Sequence, residues 1–175
     1  MENTLHKEIP VIAFVGRSGC GKTTLLENVV PQLLAYGIRI AVVKHTQHKN
    51  ISADVAGTDT RRMWDAGAHR VALVTPDSVV QWQRNVQEPE LTGVLRMIAD
   101  VDIIILEGFK SSSAPKIEVL RQAHHAIPLS NLESRLAFVT DVDELVTELP
   151  SFKLDDYAGV AKFLQQWMNR HGDDC

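Results

Sequence analysis

Gly16-Arg17-Ser18-Gly19-Cys20-Gly21-Lys22-Thr23 is the stretch that decides the fold. It has the form Gly-x-x-x-x-Gly-Lys-Thr, the pattern of a loop that wraps phosphate. Glycines let such a backbone curl until several N–H groups point inward, through conformations and close approaches that a Cβ would block. The lysine supplies a point charge for the β- and γ-phosphates, and the threonine hydroxyl is a ligand for Mg²⁺. The helix that starts here adds free N–H groups and the positive end of its dipole. The pattern requires a strand before it and a helix after it. Ile9 to Val15 is nearly continuous apolar sequence, as a strand buried on both faces of a parallel sheet needs. Leu25, Leu26, Val29, Val30, Leu33 and Leu34 then recur at helical spacing, and Gly37 suits the helix end. Pro31 lies inside that pattern and removes one backbone bond, which predicts a kink near Glu27.

Downstream, Ile38 to Val43 reads as a second strand, completing a βαβ unit with a right-handed crossover. Its end, Lys44 to Lys49, falls at the carboxyl edge where α/β sheets bind ligands, and places His45 there. Asn50 to Gly57 reads as a mobile loop. Thr58 or Asp59 suits the cap of a short helix through Trp64 that closes at Gly67. Val71 to Val74 and Val79 to Gln83 flank the turn Pro76-Asp77-Ser78 and predict an antiparallel hairpin. Pro89 to Ala99 has helical periodicity. Val101 to Leu106 then runs into Glu107 and Gly108. In phosphate-loop proteins a strand of this kind lies beside the loop strand and carries an acid at its tip near Mg²⁺. Aspartate is more usual; Glu107 has one more methylene and can act through water. Ile117 to Leu120 and Arg135 to Thr140 are further strands. A last helix covers about Asp155 to Met168, and the tail from Asn169 to Cys175 is expected to fray.

These elements predict one domain over the 175 residues: a three-layer α/β phosphate-loop fold with a mostly parallel sheet and an antiparallel hairpin extension. Residues 1–8 and 169–175 are expected to be flexible ends. A net charge of −4 offers no basic face for nucleic acid. Two cysteines make no disulfide framework, no apolar run approaches a membrane span, and the polar start is no secretory signal. Composition is that of a cytosolic protein. His45 and His48 lack the cysteines and the helical spacing of a zinc site. Arg61 and Arg62 read either as contacts for a partner's phosphate or as a solvated helix face.

Lys44-His45-Thr46-x-His48, then Gly57-x-Asp59-Thr60 with Ala66-Gly67-Ala68, then Leu106-Glu107-Gly108-Phe109-Lys110, in this order, resemble the molybdopterin-guanine dinucleotide biosynthesis protein B (MobB) family. The resemblance runs from about Pro10 to Trp167. It implies a small GTP-binding protein that forms homodimers. It also implies an adapter beside the guanylyltransferase that joins GMP to molybdopterin, with a molybdopterin-type cofactor as the shared ligand. The chain departs from the pattern at Trp64, where the family often has arginine, and carries Arg17 and Cys20 at variable loop positions.

The expected nucleotide site comprises Gly16, Ser18, Gly19, Cys20, Gly21, Lys22, Thr23, Thr24, His45 and Asp141, with GTP and Mg²⁺ as cofactors. Thr23, Glu107 and Asp59 are the candidate Mg²⁺ ligands. Lys22 and Glu107 would carry any slow hydrolysis. No Asn-Lys-x-Asp guanine signature is present. A carboxylate can accept from guanine N1–H and N2–H₂ together, which makes Asp141 either the guanine reader or a strand-end turn residue. A small-molecule kinase and a metal-delivering GTPase are the alternative classes.

Overall fold

The computed structural model describes residues 9–48, 55–130, 132–143 and 145–172, with side chains as far as residue 170. The expected flexible start (1–8), residues 50–54 of the expected mobile loop and the last three residues lie outside the described residues.

The chain divides into two compact units, one made of residues 1–46 and 98–175, the other of residues 47–97. The first holds a six-stranded sheet in the order β2-β5-β1-β6-β7-β8. These strands are β1 (Val11–Val15), β2 (Ile40–Lys44), β5 (Ile103–Glu107), β6 (Lys116–Leu120), β7 (Arg135–Thr140) and β8 (Ser151–Phe152). Every pairing in this sheet is parallel. β1 is central, with Phe14 opposite Glu107 of β5 and Val15 opposite Glu118 of β6. That register brings the tips of β1, β5 and β6 to one edge.

Helices α1 (Lys22–Ala35) and α4 (Tyr157–Gly172) flank the sheet and share one core with it. Ile12 and Phe14 of β1, Ile103 and Ile105 of β5, and Ile117 and Val119 of β6 alternate toward that core. They meet Leu25, Val29 and Leu33 of α1 and Val160, Leu164 and Trp167 of α4. Burying each large apolar side chain contributes about 1.5–3 kcal/mol. α1 runs as one helix through Pro31, and Leu34, one of the apolar residues at helical spacing, is exposed. α4 begins one residue after Asp156, whose Oδ1 accepts from the N–H of Gly159 at 2.9 Å. It continues past Met168 to Gly172. β8 is too short to stand out in the sequence.

The second unit holds α2 (Asp59–Asp65), the antiparallel pair β3 (Arg70–Val74) and β4 (Val79–Gln83), and α3 (Leu91–Leu95). Thr58 caps α2, its side chain accepting from the N–H of Arg61 at 3.3 Å. The turn between β3 and β4 is closed by the Thr75 hydroxyl, which accepts from the N–H of Ser78 at 2.9 Å and donates to Asp77 at 2.7 Å. α3 is half the length its periodicity suggested. Gly93 sits at its centre and weakens it, and Asp100 turns the chain at φ 58° just before β5. Among the described residues, no helix is long and apolar enough to cross a membrane.

Candidate phosphate-binding site

The loop after β1 is shaped by its glycines. Gly16, Gly19 and Gly21 have φ of 151°, 79° and 91°. A Cβ on Gly16 would stand 2.5 Å from the carbonyl oxygen of Val119 and 2.7 Å from Sγ of Cys20, so the loop rides directly on β6. Cys20 is buried under the loop, leaving only its backbone for a ligand, whereas Arg17, Ser18 and Gly19 are exposed. Gly21 precedes α1 and offers no side-chain cap, so the amide donors of the first turn are not taken by a capping side chain. Lys22 curls back over the loop. Its Nζ donates to the carbonyls of Arg17 at 2.9 Å and Gly16 at 3.3 Å, and lies 3.6 Å from Cys20 Sγ. The ammonium, the orphan amides and the helix dipole together favour an anion at this spot.

The tips of α1, β5 and β2 converge beside the loop. Thr23 Oγ1 donates to Glu107 Oε1 at 2.7 Å. Lys44 Nζ lies 3.0 Å from the same oxygen and 3.1 Å from Thr23 Oγ1. Glu107 is buried while Lys44 reaches in from the exposed edge strand β2. A hydroxyl and a carboxylate are the hard oxygen donors that Mg²⁺ prefers. A cationic group already sits against both of them, which shows that the pair is poised for positive charge. The residues therefore fit Mg²⁺. The pairing of Lys44 escapes sequence reasoning, which saw the lysine only as part of a motif.

His45 follows Lys44 at the same edge. Its N–H donates to the Glu107 carbonyl at 3.1 Å, and its ring tilts against Phe109, with centroids 5.3 Å apart. Phe109 has a φ of 52°, an uncommon conformation for an aromatic residue, and follows Gly108 at φ 98°. Thr24 occupies the exposed side of the first turn of α1. Asp141 leaves β7 at this edge, and its Oδ1 accepts from the N–H of Gln122 at 2.7 Å. Each carboxylate oxygen can take more than one bond, so this contact leaves acceptor capacity.

Asp59 belongs to the other unit, in the first turn of α2, 3.7 Å from Arg62. The Arg61 Nε–H is shared between the two carboxylate oxygens of Asp65, at 2.9 and 3.0 Å. Both arginines thus lie in helix-face ion pairs. Trp64 carries the guanidinium of Arg84 over its ring at 4.1 Å, and Arg84 also donates to the Trp64 carbonyl. Trp82, in the second strand of the hairpin, is half-buried opposite Val71.

Behind the edge, Glu118 of β6 is fully buried. It accepts from the N–H of Leu129 at 2.7 Å and pairs with Arg135 at 2.8 Å. Burial pushes its carboxyl above the usual carboxylate range, against the opposing pull of the Leu129 amide and Arg135. This pair anchors the segment after β6 and takes no part at the loop.

Residues 11–141 match the family model described as molybdopterin guanine dinucleotide synthesis protein B. The chain is 30% identical over 174 residues to a protein of Haemophilus influenzae named molybdopterin-guanine dinucleotide biosynthesis adapter protein, covering 96% of this chain and 95% of the relative. It is 32% identical over 170 residues to the protein of that name from Escherichia coli, covering 93% and 95%. A crystal structure of molybdopterin-guanine biosynthesis protein B superposes with a TM-score of 0.71 at 26% identity, covering 90% of this chain and 99% of the other. A MobB homolog from Bacillus stearothermophilus shares the fold, with a TM-score of 0.72 at 24% identity over 91% and 98% of the two chains. With the phosphate loop, the oxygen pair beside it and these likenesses together, the chain belongs to the molybdopterin guanine dinucleotide synthesis protein B family.

Proposed function

We propose that this protein binds GTP with Mg²⁺ at the loop after β1, hydrolyses it slowly at most, and serves in the cytoplasm as an adapter in molybdopterin guanine dinucleotide synthesis. The names of the Haemophilus influenzae and Escherichia coli relatives support the adapter role. The observation that carries the nucleotide reading is the Thr23–Glu107 contact of 2.7 Å at the mouth of the loop. It joins residues 84 positions apart in the arrangement a nucleotide-bound Mg²⁺ needs.

In this reading the loop amides and Lys22 hold the phosphates. Lys22 exchanges two carbonyl contacts for charged oxygens, which are stronger acceptors. Thr23 and Glu107 would hold Mg²⁺, which would neutralise charge on the phosphates when bound. Lys44 gives up its two contacts to make room. His45 and Asp141 border the nucleotide, with Asp141 accepting from guanine. Hydrolysis is slow because no glutamine follows Glu107 in its turn to orient a water. The partners are the guanylyltransferase, a molybdopterin-type ligand and a second copy of this chain. The dimer contact is assigned to the β3–β4 hairpin, where Val74 and Val79 face each other and are 70% and 67% exposed.

Calorimetric titration with GTP and ATP, with and without Mg²⁺, tests the reading. Tighter binding of GTP than ATP, strengthened by Mg²⁺, is the expected outcome. Equal affinity for both nucleotides would overturn the guanine assignment, and no Mg²⁺ effect would overturn the Thr23–Glu107 role.

A further inference from the structure

Arg121 is the first residue beyond β6, at the edge where the loop lies. β6 pairs directly with β1, and the loop touches it at Val119. A Cβ built on Gly21 would stand 3.8 Å from Arg121 Nη1, so the guanidinium rests against the Gly21–Lys22 end of the loop. Its backbone is pinned. The Arg121 carbonyl accepts from the N–H groups of His124 at 3.0 Å and His125 at 2.7 Å. The next N–H, of Gln122, is held by Asp141. The side chain is exposed, and among the described residues no carboxylate forms an ion pair with it.

An arginine with no carboxylate partner among the described residues, in a chain of net charge −4 and with its guanidinium beside a phosphate loop, has one evident complement. The guanidinium fork matches a phosphate in two parallel hydrogen bonds, which a lysine cannot imitate. We infer that Arg121 is a second cation of the site, gripping the polyphosphate of the nucleotide from the β6 side while Lys22 grips it from within the loop. This rests on the nucleotide reading above and extends it to a residue outside the phosphate-loop motif. It also gives the Asp141–Gln122 contact a purpose, since that bond sets the turn that aims Arg121.

The test measures GTP and GDP affinity by calorimetry in wild-type protein, Arg121→Ala, Arg121→Lys and Lys22→Ala, each at low and high salt. Arg121→Ala should weaken both nucleotides about tenfold or more. The salt dependence of its binding should also become shallower, because one charge pair is gone while Lys22 remains. Arg121→Lys should recover part of the affinity, and thermal midpoints without nucleotide should stay within a degree or two of the wild type. Unchanged GTP affinity in Arg121→Ala overturns the inference. So does weakening with an unaltered salt dependence or with a clearly lowered midpoint, since that marks a structural role. If Lys22→Ala loses GTP and Arg121→Ala does not, Arg121 alone is wrong. If the wild type binds neither nucleotide, the nucleotide reading fails and this inference with it.

Discussion

Gly16→Ala perturbs the contact on which the loop's shape depends. The added methyl would meet the Val119 carbonyl oxygen at 2.5 Å and Cys20 Sγ at 2.7 Å, far inside the usual ~3.5 Å separation. The carbonyl belongs to β6, which is paired on both sides by β1 and β7 and cannot withdraw without loosening the sheet. Overpacking of this kind costs about 1–3 kcal/mol. Holding alanine at φ 151° adds about 1–3 kcal/mol of backbone strain. Gly19→Ala is the matched control. Its φ is 79°, but nothing lies within 4 Å of the new methyl, so only strain of about 1–2 kcal/mol applies. Gly16→Ala should therefore be less stable than Gly19→Ala by at least about 1 kcal/mol. At roughly 2–4 °C per kcal/mol for a chain of this length, the midpoints should differ by several degrees. Urea and thermal unfolding of the nucleotide-free proteins measure this directly. Equal midpoints for the two variants would mean that the loop is not seated against β6.

Asp141→Asn should narrow the gap between GTP and ATP affinity, because an amide turns an NH₂ against one guanine donor; a mutant that keeps the full preference excludes Asp141 as the guanine reader. The Arg39 guanidinium, and after it the Arg39 N–H, hold the Asp102 carboxyl down to about 2, at contacts of 2.7 to 3.1 Å. Its depressed carboxyl stabilises the fold above about pH 3.8, and that contribution fades as pH falls toward 2. The stability difference between wild type and Asp102→Asn should thus shrink below about pH 4. Glu118, shifted the other way, is common to both proteins and cancels, so a pH-independent gap would contradict the assignment. Val79→Glu should convert a dimer into a monomer of about the 19.5 kDa chain mass in sedimentation; an undiminished dimer would move the interface off the hairpin.

Much of this architecture can be read from residue pattern. The apolar run before Gly16 and the acid after Ile103–Leu106 announce two strands ending at one edge, and the structure sets them side by side. The hairpin was legible from Pro76-Asp77-Ser78 between two β-rich runs. Where the reading overshot, local chemistry explains it. Periodicity around Pro89 to Ala99 extended a helix that Gly93 and Asp100 curtail. The site was less legible than the fold. Glycines and Lys22 declare themselves because their spacing is local. Lys44 and Arg121 do not, because their roles arise only when β2 and β6 are placed on either side of the β1–β5 pair. Two ionisable residues at strand ends look like any solvated termini until the sheet order is known. Glu118 and Arg135 are hidden for the same reason, since a buried ion pair between neighbouring strands leaves no periodic trace.

If the loop after β1 holds the phosphates of GTP, Lys22→Ala should remove that hold. Among the described residues Lys22 bonds only the loop's own carbonyls and the Cys20 sulfur, so its removal should leave the nucleotide-free fold nearly unchanged. Loss of a charge-assisted contact should cost about 1.5–3 kcal/mol or more of binding. Calorimetric titration with Mg²⁺·GTP should therefore show binding in the wild type and a loss of at least about tenfold in Lys22→Ala, with matching thermal midpoints when nucleotide is absent. Equal GTP affinity in the two proteins would contradict the account.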